Sequence, residues 1–519
     1  MKSREWTQLI KEKYAIIDIG SNTMRLVIYQ RDKSQRLKEI ENVKVSARLR
    51  NYLNDDSFLN DEGIKVLVSA LHSFQEVTRH HDLKKVKCVA TATIRQAENK
   101  EFILQTVEAK TDFSIRILSE YEEAYYGFLA VVNSTQIESG ITIDIGGGST
   151  EITYFENRKL IHYHSFPFGA LSLKKQFVKN EIPAEKEINQ LKEFLDAKFR
   201  SLPWIVNRNL PIVAIGGSAR NIVQIHQAMQ EYPLAGVHQY EMNHQNLTDV
   251  QQFLSSLTLH ELQRVEGLSK DRADIIIPTA QVFHTLYEIV DADNFILSRK
   301  GLRDGVFYED LTRGTGLAIF PNVIEESFHE LLSDYDIDLN HVIHVTKLAL
   351  KIYRDLAEEG LLSYSKEDIL LLRRGAFVFN LGQYIDSESS SQHTFYLIAN
   401  RTIDGLLHKE RLQLALIASF KSKSSYKQYA DPYKHWFSKV EQRNMMMLGA
   451  IIKLAYSLNA TKREIIKSVD IRTENDFVKC DVVCEGNWKP EEYQAEKQKK
   501  NLEKILKKNI IFKFYEKEE

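Results

Sequence analysis

Two aspartates, each at the mouth of a glycine turn, are the residues of this chain best placed to do chemistry. Asp18 opens the turn Asp18-Ile19-Gly20-Ser21-Asn22-Thr23, and Asp144 opens Asp144-Ile145-Gly146-Gly147-Gly148-Ser149-Thr150. Glycine lets a backbone approach a ligand closely. Successive N–H groups in such a turn, with Ser21, Asn22 and Thr23 beside them, offer donors to phosphate oxygens. Asp18 is suited to orient Mg2+ or its water shell. The second turn repeats the arrangement with three glycines and Ser149, and Glu151 adds a carboxylate just beyond it. A third glycine element, Ile212–Ile222, runs a strand through Gly216-Gly217-Ser218 into a helix, where exposed N–H groups favour anions. One glycine turn alone is as readily a plain turn. The duplication argues otherwise: Tyr14–Tyr29 (YAIIDIGSNTMRLVIY) aligns without a gap to Gly140–Phe155 (GITIDIGGGSTEITYF), at a constant offset of 126.

The elements that must position these residues follow from the patterning. Each echoed segment reads as strand, tight turn, strand. Two such hairpins imply two related lobes facing one another across a cleft. In the first lobe, residues 1–135, a polar lead-in precedes the hairpin strands Tyr14–Ile19 and Met24–Gln30, and Asn42–Ser46 is another strand. Asp61–His80 is an amphipathic helix with Ile64, Leu67, Val68 and Leu71 on one face. Strands Lys87–Ala92 and Ser114–Leu118 alternate with helices Asn99–Thr111 and Glu120–Asn133. The second lobe, residues 136–312, with a C-terminal end that can pack back on lobe I, opens with its hairpin. Helices near 169–179 and 184–201 lead to strand Pro211–Ile215 and helix Ala219–Met229. Helices near 246–255, 258–264 and 270–290 and a short strand Phe295–Ser298 complete it. The pattern changes at Thr312–Pro321. Residues 320–464 are almost wholly helical, and 465–519 form a small α+β appendage with a Lys-rich helix.

Bulk properties restrict the function class. At 519 residues the chain holds several domains. A net charge of −2 predicts neither nucleic-acid nor membrane binding for the chain as a whole. No run approaches the ~18 apolar residues of a membrane span. Cys88, Cys480 and Cys484 make no disulfide framework, and no leader-like segment stands out, so a reducing cytoplasm is the expected compartment.

With the first hairpin, four segments carry a resemblance: VATATIRQAENK (Val89–Lys100), ILSEYEEAYYGF (Ile117–Phe128), IDIGGGSTEI (Ile143–Ile152) and SRKGLRDGVFYE (Ser298–Glu309). In order and approximate spacing they resemble the exopolyphosphatase / guanosine pentaphosphate phosphohydrolase family, within the actin-like phosphotransferase superfamily. The resemblance covers residues 14 to about 310. It implies an α/β fold of two actin-like (ribonuclease H-like) lobes, followed by a mostly helical HD-like domain and the α+β subdomain. It also implies hydrolysis of a terminal phosphoanhydride of inorganic polyphosphate or of pppGpp, and a homodimer.

The family's glutamate base matches Glu123, and its loop arginine matches Arg95, whose guanidinium would grip a phosphate oxygen. Local chemistry separates the two glutamates: Ser119 and Glu122 stand in capping-box relation, which occupies Glu122 and leaves Glu123 for the cleft. In the implied mechanism Asp144 and Glu151 hold Mg2+, with Asp18 helping through water. The N–H groups of Gly146–Gly148, with Ser149, stabilise the transferring phosphoryl group. Arg272 and Arg303 are weaker candidates for binding the chain.

The resemblance breaks in places. Phe379-Asn380-Leu381-Gly382 stands where the HD-like domain would carry His-Asp, although His393 survives. His341 and His344 read as structural. Glu120 and Thr279 replace glycines. The rival readings are a pppGpp 5′-phosphohydrolase, a sugar kinase or actin-like ATPase, and a non-catalytic sensor of polyphosphate or ppGpp. Inorganic polyphosphate is the expected substrate, with a glutamate-activated water and Mg2+.

Overall fold

The computed structural model describes residues 13–31, 37–83, 85–312, 318–474 and 476–517. The polar lead-in and the middle of the Thr312–Pro321 boundary lie outside them. The chain forms two compact units, one running to Tyr232 and over Val237–Ser327, the other comprising Pro233–Gly236 and the chain from Phe328 on.

The first unit holds two sheets. Lobe I contains β1 (Lys13–Ile19), β2 (Met24–Arg31), β3 (Leu37–Val45), α1 (Asp61–His80), β4 (Val86–Ala90), α2 (Ala92–Arg95), α3 (Lys100–Lys110), β5 (Ile115–Ile117) and α4 (Glu120–Val132), with strand order β3-β2-β1-β4-β5. Lobe II contains β6 (Gly140–Ile145), β7 (Thr150–Glu156), β8 (Lys159–Phe166), α5 (Ala170–Phe177), α6 (Glu185–Arg200), β9 (Ile212–Ile215), α7 (Gly216–Met229), β10 (Glu241–Met242), α8 (His244–Ser255), α9 (Leu259–Leu262), α10 (Ile276–Val290) and β11 (Phe295–Leu297), with order β10-β11-β9-β6-β7-β8. In each lobe an antiparallel hairpin carries the echoed sequence, and its first strand pairs in parallel with the next one, β1 with β4 and β6 with β9. β8, unread in the sequence, is a half-exposed edge strand in which Lys159, His162, His164 and Ser165 interrupt the apolar residues. The helix expected from Ala219 begins at Gly216, so the glycine pair forms its first turn rather than a loop before it.

β1 is buried on both faces. Ala15, Ile17 and Ile19 join the main lobe I core, while Ile16 packs on the opposite side with Val27, Val89 and Tyr126. That second face is closed by α11 (Leu302–Thr312), which follows lobe II in sequence but returns to lobe I. Val306 of α11 sits in the Ile16 cluster, and its Phe307 ring stacks on Tyr29 at 4.9 Å. Beyond its acidic first turn α4 is buried nearly all round. Tyr126 joins the lobe I cluster, whereas Phe128, Leu129 and Val132 pack with Phe155, Val213 and Ile215 of lobe II.

The second unit continues from α12 (Val323–Asp334) into α13 (Leu339–Glu358), α14 (Lys366–Phe377), α15 (Ser390–Asn400), α16 (His408–Ala418), α17 (Lys423–Ala430) and α18 (Lys439–Ser457). A small sheet follows: β12 (Ile466–Glu474), β13 (Phe477–Cys484), α19 (Lys489–Leu506) and β14 (Asn509–Glu516), in order β12-β13-β14. Phe379, in the His-Asp position of the resemblance, packs its ring 5.3 Å from Tyr456. His341 is buried, and its Nδ1 lies 2.9 Å from the Asn459 amide.

The approach of α11 to α4 depends on Gly305, where a Cβ would stand 2.6 Å from the Tyr126 carbonyl carbon. Gly305→Ala should lower stability by about 1–3 kcal/mol, the usual effect of overpacking. Chemical denaturation measures it, and wild-type stability in the variant would refute the close approach.

Candidate active site

The two hairpin turns have the same internal geometry. Gly20 N–H donates to the Thr23 carbonyl at 3.1 Å, and Gly146 N–H donates to that of Ser149 at 2.9 Å. The turns also meet: a Cβ on Gly147 would lie 2.9 Å from Cβ of Ser21, and one on Gly148 would lie 3.3 Å from the Ser21 hydroxyl oxygen. Ser21 is held from behind by the Thr93 hydroxyl, which donates to it at 2.8 Å. This contact forms the floor of a cleft between the lobes.

Twelve of the fifteen candidate residues line that cleft: Asp18, Ser21, Asn22, Thr23, Glu123, Asp144, Gly146, Gly147, Ser149, Glu151, Gly216 and Gly217. Arg95, Gly148 and Ser218 do not. Gly148 faces Ser21 and Arg50 across the turn contact. Ser218 is buried and accepts from Arg272 Nη1 at 3.4 Å. Gly216 has φ of 91°, which favours glycine, and a Cβ there would stand 2.6 Å from Asp144 Oδ1.

Glu123 sits in the first turn of α4. The capping box is present: Ser119 Oγ accepts from Glu122 N–H at 3.2 Å, and Glu122 Oε2 accepts from Ser119 N–H at 2.9 Å. Glu122 is therefore engaged with the backbone, and its neighbour faces the cleft. Arg95, at the end of α2, is expected to grip phosphate but points to the glutamate instead. Its Nη1 donates to Glu123 Oε2 at 2.7 Å and to the Leu118 carbonyl at 3.0 Å, while Nη2 is buried without a partner. In this arrangement Arg95 positions Glu123.

The register exposes a difference between the hairpins. Asp18 pairs across the strands with Arg25, but Asp144 pairs with Glu151. Directly opposed like charges are unfavourable. Glu151 is almost wholly buried and receives the Ser165 hydroxyl at 2.9 Å. Burial raises Glu151 well above the usual carboxylate range, with Glu123 and Asp144 adding to the rise. Burial likewise raises Glu123, against the pull of Arg95. Asp144 is pushed up to about 6 by burial and by Asp18, opposed by Arg272 and Arg303. Asp18 is raised by burial, with Arg303 at 3.9 Å drawing it down.

Cations line the rest of the cleft: Arg25, Lys44, Arg220, Arg272, Arg299 and Arg303. Burial and the neighbouring arginines push Arg220 down to about 10. Such a crowd of guanidinium groups favours an anion between them. The amide of Asn22 is buried with neither its oxygen nor its nitrogen hydrogen-bonded. Arg25, Lys44, Arg220 and Arg299 are absent from the sequence reading. Arg25 was legible, because the 126-residue offset sets it against Glu151. Arg220 follows Gly216-Gly217-Ser218 by two residues, and Arg299 is the second residue of the Ser298–Glu309 segment.

The lobes are also clasped beside the cleft. Arg48 donates to both carboxylate oxygens of Asp274 at 3.1 and 3.0 Å, Lys174 reaches the same aspartate at 2.7 Å, and Lys44 pairs with Asp271 at 2.8 Å.

Comparison with known proteins shows the family. The Ppx/GppA phosphatase family model matches residues 27–314, and the model for Ppx/GppA phosphatase, domain III, matches residues 323–504. A guanosine-5′-triphosphate,3′-diphosphate pyrophosphatase of Vibrio atlanticus (strain LGP32) is 25% identical over 405 residues, covering 77% of this chain and 78% of its own. Among solved structures, the Aquifex aeolicus member of the Ppx/GppA family has 26% identity and a TM-score of 0.51, over 58% of this chain and 98% of that one. An exopolyphosphatase from Cytophaga hutchinsonii shares the fold at 18% identity, with a TM-score of 0.53 over 58% and 98% of the two chains.

The raised pKa of Asp144 has a sign that can be measured. An ordinary aspartate titrates near 3.9. The stability tied to the neutral carboxyl is therefore present below about 4 and lost as pH rises through about 6. In metal-free protein, Tm should fall more between about pH 5 and pH 7 in wild type than in Asp144→Asn. Parallel Tm profiles would mean that Asp144 is solvated.

Proposed function

The chain belongs to the Ppx/GppA phosphatase family, and on that premise we propose that its cleft removes the terminal phosphate of inorganic polyphosphate by attack of water. One observation carries the choice of substrate: six cationic side chains and two turns rich in N–H groups share one cleft, and its apolar lining is aliphatic, from Ile145, Ala170, Ile215, Ile275 and Leu302. That lining suits a repeating anion. A second reading, hydrolysis of pppGpp, is supported by the name of the Vibrio atlanticus relative.

The terminal phosphate lies against the Gly20–Thr23 and Gly146–Ser149 turns, where N–H groups and the free Asn22 amide meet its oxygens. Glu123 orients a water and takes its proton as the oxygen attacks phosphorus. The phosphoanhydride P–O bond breaks, giving orthophosphate and a chain one unit shorter. Arg95 aims Glu123 and favours its ionised form. Arg25, Arg220, Arg299 and Arg303 hold the phosphates that follow.

The donor set fits Mg2+. Asp144, half-buried, and Glu151, buried, are hard-oxygen ligands opposed across the β6–β7 pair, where a cation would offset their like charge. Among the described residues, Asp18, Asp144 and Glu151 do not close into a cluster with ligand atoms within 4.8 Å of one another. That spacing is consistent with Mg2+, which usually takes one or two carboxylates, several waters and substrate phosphates. When bound, Mg2+ would neutralise charge on the transferring phosphoryl group.

Orthophosphate release should be measured with long-chain polyphosphate, pppGpp and ATP in parallel. Wild type should prefer polyphosphate, and Glu123→Gln should lose about 10²–10⁴-fold in rate. Preference for pppGpp would transfer the cleft to the second reading, and an undiminished Glu123→Gln would remove the assigned base. Because Arg95 lowers the Glu123 pKa, Arg95→Met should move the acidic limb of the kcat/KM profile to higher pH. An unmoved limb would refute that positioning role.

A further inference from the structure

Lobe II places three metal-ligating side chains together away from the cleft. His244 opens α8, and His284 and Glu288 lie four residues apart on one face of α10. One ligand atom from each falls within 4.8 Å of the others. None of the three lines the cleft. We propose that His244, His284 and Glu288 form a second cation site, suited to a borderline divalent metal such as Zn2+.

The hydrogen bonds around His284 fix its tautomer. Thr248 donates its hydroxyl to the His244 carbonyl at 2.9 Å. The same oxygen lies 3.1 Å from His284 Nε2 and must accept there, so Nε2 carries the proton. Nδ1 then presents a lone pair. His284 is only 7% exposed, and Nδ1 has no hydrogen-bond partner. The group it faces is itself an acceptor, Glu288 Oε2 at 3.7 Å. A lone pair and a carboxylate converging on one point call for a cation between them. The His244 ring, centred 5.0 Å from that of His284, brings the second imidazole.

The chemistry selects the metal. Two imidazoles and a carboxylate suit Zn2+, whereas Mg2+ and Ca2+ prefer oxygen sets. Thr248 supplies the outer hydrogen bond that a metal-bound histidine normally makes. His244 and Glu288 are exposed, which leaves a fourth position open to water. A competitor is already present: Lys192 of α6 holds Glu288 Oε2 at 3.1 Å. Metal binding would displace that lysine and tie the start of α8 to α10.

The full chain, stripped with chelator and returned to excess Mg2+ to occupy the carboxylate cleft, should be titrated with Zn2+ by calorimetry and with Co2+ by visible absorption. One equivalent should bind. His244→Ala and Glu288→Gln, both at exposed positions, should each weaken binding by roughly tenfold or more. Lys192→Met should tighten it, since Glu288 is then free. Absence of stoichiometric binding, binding unaltered in both ligand variants, or binding not strengthened in Lys192→Met would overturn the site.

Discussion

Four carboxylates, Asp18, Glu123, Asp144 and Glu151, face one cleft, and two of them are opposed across a strand pair. Burying charge without a bonded partner is unfavourable. Such a cluster stands only where the scaffold fixes each member independently. Asp18 and Asp144 stand one residue before the ends of β1 and β6, which lie in the interior of their sheets. Glu123 is set by the capping box one residue earlier and by a helix packed on both lobes. Glu151 is pinned by Ser165. The rest of the unit can be understood as the support this arrangement needs.

The duplicated hairpins divide the work by a single difference. Arg25 balances Asp18 in lobe I, while the equivalent Glu151 doubles the negative charge in lobe II. One turn thereby sets an acid against a base, and the other sets two carboxyl groups against each other. The arginines from the α7 start, the loop before α10 and the start of α11 approach from the remaining sides. The cleft thus holds opposite charges in separate sectors, and an anion bridged by a cation satisfies both.

Much of this was legible in the chain because its signals are local. The 126-residue echo located both hairpins, and Ser119 with Glu122 told Glu123 apart from its neighbour. The limits of α1, expected as Asp61–His80, agree with the structure because its Asn60 cap and apolar stripe are both local. What escaped was set by tertiary contact. β8 has no continuous apolar run, since it lies at a sheet edge. The return of the segment to lobe I was anticipated, but α11 as a helix was not: it has no strong amphipathic stripe, because it is wedged against α4 and the far side of β1. Arg95 reads as a free cation until Glu123 is seen beside it, and nothing in Lys44 or Arg299 alone says which way the side chain points.

The return of α11 to lobe I makes that lobe discontinuous in the chain, with all of lobe II inserted between α4 and α11. During synthesis the Ile16 cluster cannot close until the residues after β11 have emerged. Lobe II, whose core draws on contiguous sequence, is free to form first. Until then lobe I exposes Tyr29, Val89 and Tyr126, a transient sticky face. The main lobe I core, Ala15 to Ile115, needs nothing from later sequence, but its second face does, so the first lobe begun is the last completed.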